Sequence, residues 1–171
     1  HASGCYSAVS SIKNGIRRAE CAMYSSEVFA FLAHSLLRKA YDTKKFEKAW
    51  NNVLFCHFHD IMGGCAIKSS YKDAEYMLGE SMSFAARTEN NALQSISWAI
   101  DTSDTEKGYP IIVVNPHGFD AEQIVTINKQ VTGITDGKGE PVTVQHVHSE
   151  TFSCYVRSDT AFVAKVPAMG Y

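Results

Sequence analysis

The chain has 171 residues, 45 % of them apolar and 11 % aromatic, enough to bury the core of one ordinary domain or two small ones. Its 16 Lys plus Arg against 18 Asp plus Glu form no basic run or stripe, so the electrostatic footprint of a nucleic-acid binder is missing. No apolar stretch approaches the ~20 residues that cross a bilayer, and no charged-then-apolar leader opens the chain; the sequence reads as a cytoplasmic protein with no membrane partner.

From about Ser7 to Ala40, Val9, Ile12, Ile16, Ala19, Met23, Phe29, Ala33, Leu36 and Leu37 recur near the 3.6-residue period of an amphipathic helix, with no proline inside. Tyr41-Asp42-Thr43 interrupts the run, and Asp42 or Thr43 is placed to cap the next N-terminus. Phe46, Trp50, Val53 and Leu54 then mark a shorter helix running up to His59, which Gly63-Gly64 ends. A third periodic run, through Ile67, Tyr71, Ala74, Leu78, Met82, Ala85, Ala92, Ile96 and Ala99, predicts a helix ~50 Å long.

After Asp101-Thr102-Ser103-Asp104 the period changes from helical to extended, which places a boundary near residues 101 to 109. Pro110 to Pro116 is a β-branched run bounded by prolines and reads as a strand. Further strands are expected over Gln123 to Ile127, Val142 to His148, Phe152 to Arg157 and Ala161 to Val166, with a turn at Asp136-Gly137-Lys138-Gly139. The expected class is α+β: a three-helix bundle-like domain over residues 1–102, followed over residues 109–171 by a truncated portion of an antiparallel β-sandwich with unpaired edges.

Chemistry concentrates in Cys56-His57-Phe58-His59-Asp60-Ile61-Met62-Gly63-Gly64-Cys65, where two imidazoles and a carboxylate crowd a glycine break. In a regular helix His57 and His59 lie about 200° apart, while His57 and Asp60 share a face, so the two histidines do not chelate one ion together. One imidazole is then expected to point into a cavity at the helix end and the other to hydrogen-bond within the bundle. A histidine beside a carboxylate at a helix terminus suits a divalent metal, yet zinc needs four partners, and hydrogen-bonded histidines at a turn explain the segment slightly better on residues alone. His34 falls in a helix stripe. His146 and His148 share one strand face without an evident third ligand, which favours a surface pair. The five cysteines, Cys5, Cys21, Cys56, Cys65 and Cys154, are odd in number and scattered, and read as small buried hydrophobes rather than a disulfide framework or zinc knuckle.

The order of motifs adds a resemblance. His1-Ala2-Ser3-Gly4-Cys5-Tyr6-Ser7 leading into a helix with Arg17-Arg18-Ala19-Glu20, then His57 to Cys65, resembles the middle helical domain of glycoside hydrolase family 38 α-mannosidases. Val113-Val114-Asn115-Pro116 and Val166-Pro167-Ala168-Met169-Gly170-Tyr171 resemble segments of that family's C-terminal β region. The resemblance implies a retaining glycosidase that uses zinc, a carboxylate nucleophile and a carboxyl acid/base. It carries the last zinc ligand over to His59 and a contact with the hydroxyls of a mannose-containing oligosaccharide over to Asp60, and gives His57 no role. The other zinc ligands and both reacting carboxylates belong in relatives to an N-terminal barrel preceding this sequence, so the resemblance makes the chain one wall of a larger site, inactive alone. It leaves homo-oligomer formation open. The competing expectation is a non-catalytic helical and β interaction module that extends a partner's sheet.

Overall fold

The computed structural model describes residues 3–103, 108–149 and 158–171, and of Tyr6 the backbone alone. The chain divides into two compact units, residues 1–108 and residues 109–171, and the α+β class is the one observed.

In the first unit a 3-10 turn at Ser3–Tyr6 leads into α1 (Ser10–Leu37), followed by α2 (Thr43–Cys56), a five-residue α3 (His59–Gly63) and α4 (Lys68–Ala99). The expected extension of α1 to Ser7 and Ala40 is not found, because Val9 and Arg38 both take left-handed backbone at its two ends (φ 47° and 58°). At the C-terminus the turn is closed by the amides of Arg38 and Lys39, which donate to the carbonyls of His34 and Ala33 at 3.0 and 3.2 Å. Asp42 is the N-cap of α2, its carboxylate accepting from the Lys45 amide at 3.1 Å.

The apolar stripes meet over most of their length, but Leu36, Leu54 and Ile67, counted in them from the periodicity, are exposed. Ile12, Ile16, Ala19 and Met23 of α1 are buried with Phe46, Ala49, Val53 and Cys56 of α2 and Ala74, Leu78 and Ala85 of α4. Burying a large side chain of this kind stabilises by about 1.5–3 kcal/mol. The polar members of the interface are satisfied: the Ser81 hydroxyl, fully buried, donates toward the carbonyls of Ala49 and Met77. Among the described residues no helix is long and apolar enough to cross a membrane.

Glu27 ties α2 and the preceding loop to α1, one carboxylate oxygen accepting from the Tyr41 hydroxyl at 2.9 Å and the other from Trp50 Nε1 at 2.8 Å. Tyr41 also stacks on Phe46, which meets Phe84 edge-on. Burial first, and the bond to and charge of Glu27 second, push the Tyr41 hydroxyl up to about 12. A phenol that holds its proton more tightly folded than unfolded stabilises fully below pH 10 and loses that contribution as pH rises from 10 toward 12. Denaturation across that window should therefore show the stability difference between the protein and its Tyr41→Phe variant shrinking with pH; a constant difference would show that the phenol proton is not held by this network.

In the second unit β1 (Ala121–Ile127), β4 (Val144–His148) and β5 (Ser158–Val166) form an antiparallel sheet in the order β1-β5-β4. The ladder runs from Ala121 opposite Val166 to Ile127 opposite Thr160 on one side of β5, and from Val144 opposite Phe162 to His148 opposite Ser158 on the other. β2 (Ile134–Thr135) and β3 (Pro141–Val142) make a separate two-stranded ribbon. Its turn is Asp136 to Gly139, where the Asp136 carboxylate accepts from the amides of Lys138 and Glu140, and these bonds hold its pKa below the usual carboxylate range. The expected strand over Val142 to His148 is thus split at Thr143, and Phe152 to Arg157 lies outside the described residues.

Pro110 to Pro116 is not a strand. Prolines at both ends limit its donors, and Asn115, buried, replaces a ladder with its own side chain. Asn115 Nδ2 faces the carbonyls of Phe119, Val166 and Pro167 at 2.8, 3.3 and 3.1 Å, its Oδ1 accepts from the His117 amide, and its backbone amide donates to Gly170.

Candidate functional site

The segment that joins α2 to α4 is broken where a continuous helix was expected. α2 ends at Cys56; His57 is its C-cap; Phe58 is extended (φ −52°, ψ 136°); α3 starts at His59. The amides of His57 and Phe58 close the last turn of α2 on the carbonyls of Leu54 and Phe55, and the Met62 amide opens α3 on the carbonyl of Phe58. Because the helix does not run through, the expected shared face of His57 and Asp60 does not exist.

The break separates the two histidines chemically. His57 Nε2 lies 2.9 Å from Glu20 Oε1 on α1, and Glu20 Oε2 accepts from Arg17 Nη1 at 2.7 Å. His59 points elsewhere: its Nε2 is 3.5 Å from Asp60 Oδ1, its ring lies against Phe58 at 4.2 Å, and its side chain is 80 % exposed beside a half-exposed Asp60. At that exposure the ring lies at the surface rather than in a cavity, contrary to the expectation for one of the imidazoles, whereas His57 does bond within the bundle. The Cys65 thiol sits 3.8 Å from the same Asp60 oxygen.

α3 is held in place from behind. Ile61 is buried against the core, and the Asp60 carbonyl accepts from the amides of both Cys65 and Ala66. Ala66 also donates to the Tyr71 hydroxyl at 3.0 Å. Gly64 ends the helix with φ 79°, and a Cβ there would stand 2.4 Å from the Ala8 Cβ. Ala8 belongs to the turn before α1, whose carbonyl the Lys13 ammonium holds. The N-terminal turn and the His59–Asp60 helix are thereby packed backbone against backbone.

The remaining singled-out residues do not join this site. His34 is exposed at the end of α1, its Nδ1 2.7 Å from the Lys39 carbonyl, rather than in the buried stripe. His146 and His148 are exposed on β4, with His146 Nδ1 3.5 Å from the Thr160 hydroxyl. Of the described cysteines, all free, only Cys56 is buried, and burial pushes its thiol pKa up; Cys21 and Cys65 are exposed, which corrects the reading of the set as buried. Among the described residues no three His, Cys, Asp or Glu side chains converge as metal ligands do. Glu20 is the residue that the reading of site chemistry missed, although Arg17-Arg18-Ala19-Glu20 carried part of the resemblance; its partner lies on a different helix and no spacing rule connects them.

Residues 2–96 match the alpha mannosidase middle domain family. The chain belongs to that family. The motifs at Arg17 to Glu20 and His57 to Cys65 thus pointed to the right one, a glycosidase family. No curated protein sequence matches. In fold, this middle-domain chain is similar to a glycosyl hydrolase family 38 protein from Enterococcus faecalis, with 18 % identity and a TM-score of 0.75 over 99 % of this chain and 24 % of that one. It is also similar to an alpha-mannosidase from Enterococcus faecalis V583, with 16 % identity and a TM-score of 0.67 over 91 % of this chain and 21 % of that one. The chain therefore spans about a quarter of the length of these structures.

Proposed function

We propose that this chain supplies one wall of the active site of a retaining, zinc-dependent α-mannosidase that hydrolyses terminal α-mannosides. The observation that carries the reading is His59 and Asp60, side by side and solvent-facing on a short helix of a family-38 middle domain. An imidazole nitrogen with a carboxylate beside it is a suitable donor for a divalent metal, and two such groups fall short of the four that zinc takes, so the residues fit one corner of a shared site. His59 would hold the ion and Asp60 would accept hydrogen bonds from sugar hydroxyls. Zinc, when bound, polarises and fixes sugar hydroxyls. Nucleophile and acid/base, the two carboxyl groups of a retaining hydrolase, lie in this reading on the rest of the polypeptide, and the isolated chain is inactive.

The full-length enzyme should hydrolyse an aryl α-mannoside with retention of the anomeric configuration, lose activity to a strong chelator and recover it with zinc. Undiminished turnover in metal-free protein would overturn the reading.

A further inference from the structure

We propose that Glu20 is a positioning residue for the His59–Asp60 pair and acts through His57. The inference rests on the roles just proposed for His59 and Asp60. Three anchors hold α3: buried Ile61 on its inner side, Gly64 against Ala8 at its C-terminal end, and, at the end where His59 and Asp60 enter, the His57–Glu20 bond. Phe58, the N-cap between them, makes no side-chain capping bond, so the direction in which the chain leaves α2 is set at His57.

The geometry at Glu20 suits this task. Both carboxylate oxygens are engaged, one by Arg17 one turn earlier on α1 and one by His57, so the carboxylate is braced along its own helix while it holds the other. Its side chain is 27 % exposed and that of His57 36 %, which leaves the bond partly shielded from competing water. A single, partly exposed pair of this kind contributes little to global stability. Its effect is local: it fixes the backbone entering α3, where a shift well under an ångström displaces both functional groups together. The imidazole that takes no part in the chemistry is thus the handle by which α1 aims the one that does.

The test uses the full-length enzyme. Glu20→Ala should raise the zinc dissociation constant and lower kcat, each by about 10–100-fold, as loss of groups supporting a metal ligand does. Its thermal midpoint should stay near that of the wild type, while amide exchange in segment 59–64 accelerates. Glu20→Gln keeps an acceptor for the His57 Nε2 proton and should stay near wild type. Adding His57→Ala to Glu20→Ala should cause little further loss, because the two act as one unit. Wild-type kcat, zinc affinity and exchange in Glu20→Ala, in an enzyme that His59→Ala inactivates, would overturn the positioning role and leave the proposed function standing. An enzyme that neither binds zinc nor cleaves α-mannosides would overturn both.

Discussion

Replacing His59 by alanine should strip zinc from the full-length enzyme and cut hydrolysis of an aryl α-mannoside by more than the roughly 10–100-fold that a supporting residue costs. The expected loss is large because the neighbouring donors are engaged elsewhere: His57 is committed to Glu20, and Cys65 approaches the Asp60 carboxylate. The fold should survive, since the His59 side chain is largely exposed and takes no part in the core. Zinc content by elemental analysis, turnover and a thermal melt on the same preparation separate these claims. Full activity in metal-free His59→Ala protein would sink the assignment of the ligand.

Alanine at Gly64 should be the most damaging small change in the helical unit. Two independent costs fall on it. A non-glycine residue at φ 79° costs of order 1–3 kcal/mol. A methyl group 2.4 Å from the Ala8 Cβ also forces backbone to separate, at roughly 1–3 kcal/mol for overpacking. Together, roughly 2–6 kcal/mol is a large part of an ordinary domain's stability of about 5–15 kcal/mol. Chemical denaturation should show the full loss in Gly64→Ala and only the conformational part in the double variant Ala8→Gly/Gly64→Ala. A Gly64→Ala protein as stable as wild type would mean that the Ala8 turn does not pack here.

The helices were legible because their cores are repetitive: Ile12, Ile16, Ala19 and Met23, or Ala74, Leu78 and Ala85, announce a face whatever that face meets. The break at His57–Phe58 was not, because neither residue is a helix breaker. The chain turns there under contacts made from a distance, by Glu20 on α1 and by the pocket that takes Ile61. Residues 110–116 misled for the opposite reason. Val113 and Val114 have strand-like side chains, but a strand requires a partner, and here one Asn side chain occupies the carbonyls that would have advertised one. At the candidate site, the adjacency of His59 and Asp60 could be read directly, along with the motif around them. The bond that aims them spans two helices and became visible only in three dimensions.

The position of β5 in its sheet has a consequence during synthesis. Among the described residues both β1 and β4 pair with β5, which follows them in the chain. β1 is complete about 30 residues before β5 begins, roughly 2–6 s at a ribosome's 5–20 residues per second. Throughout that interval Ile124, Val125 and Ile127 sit on a strand that lacks its β5 partner, a form in which a nascent segment is exposed to mispairing with a neighbouring chain. The helical unit, already translated, has all four of its helices available to dock during the wait. A pause in translation within residues 128–157 should therefore lower the yield of folded product more than an equal pause inside α4.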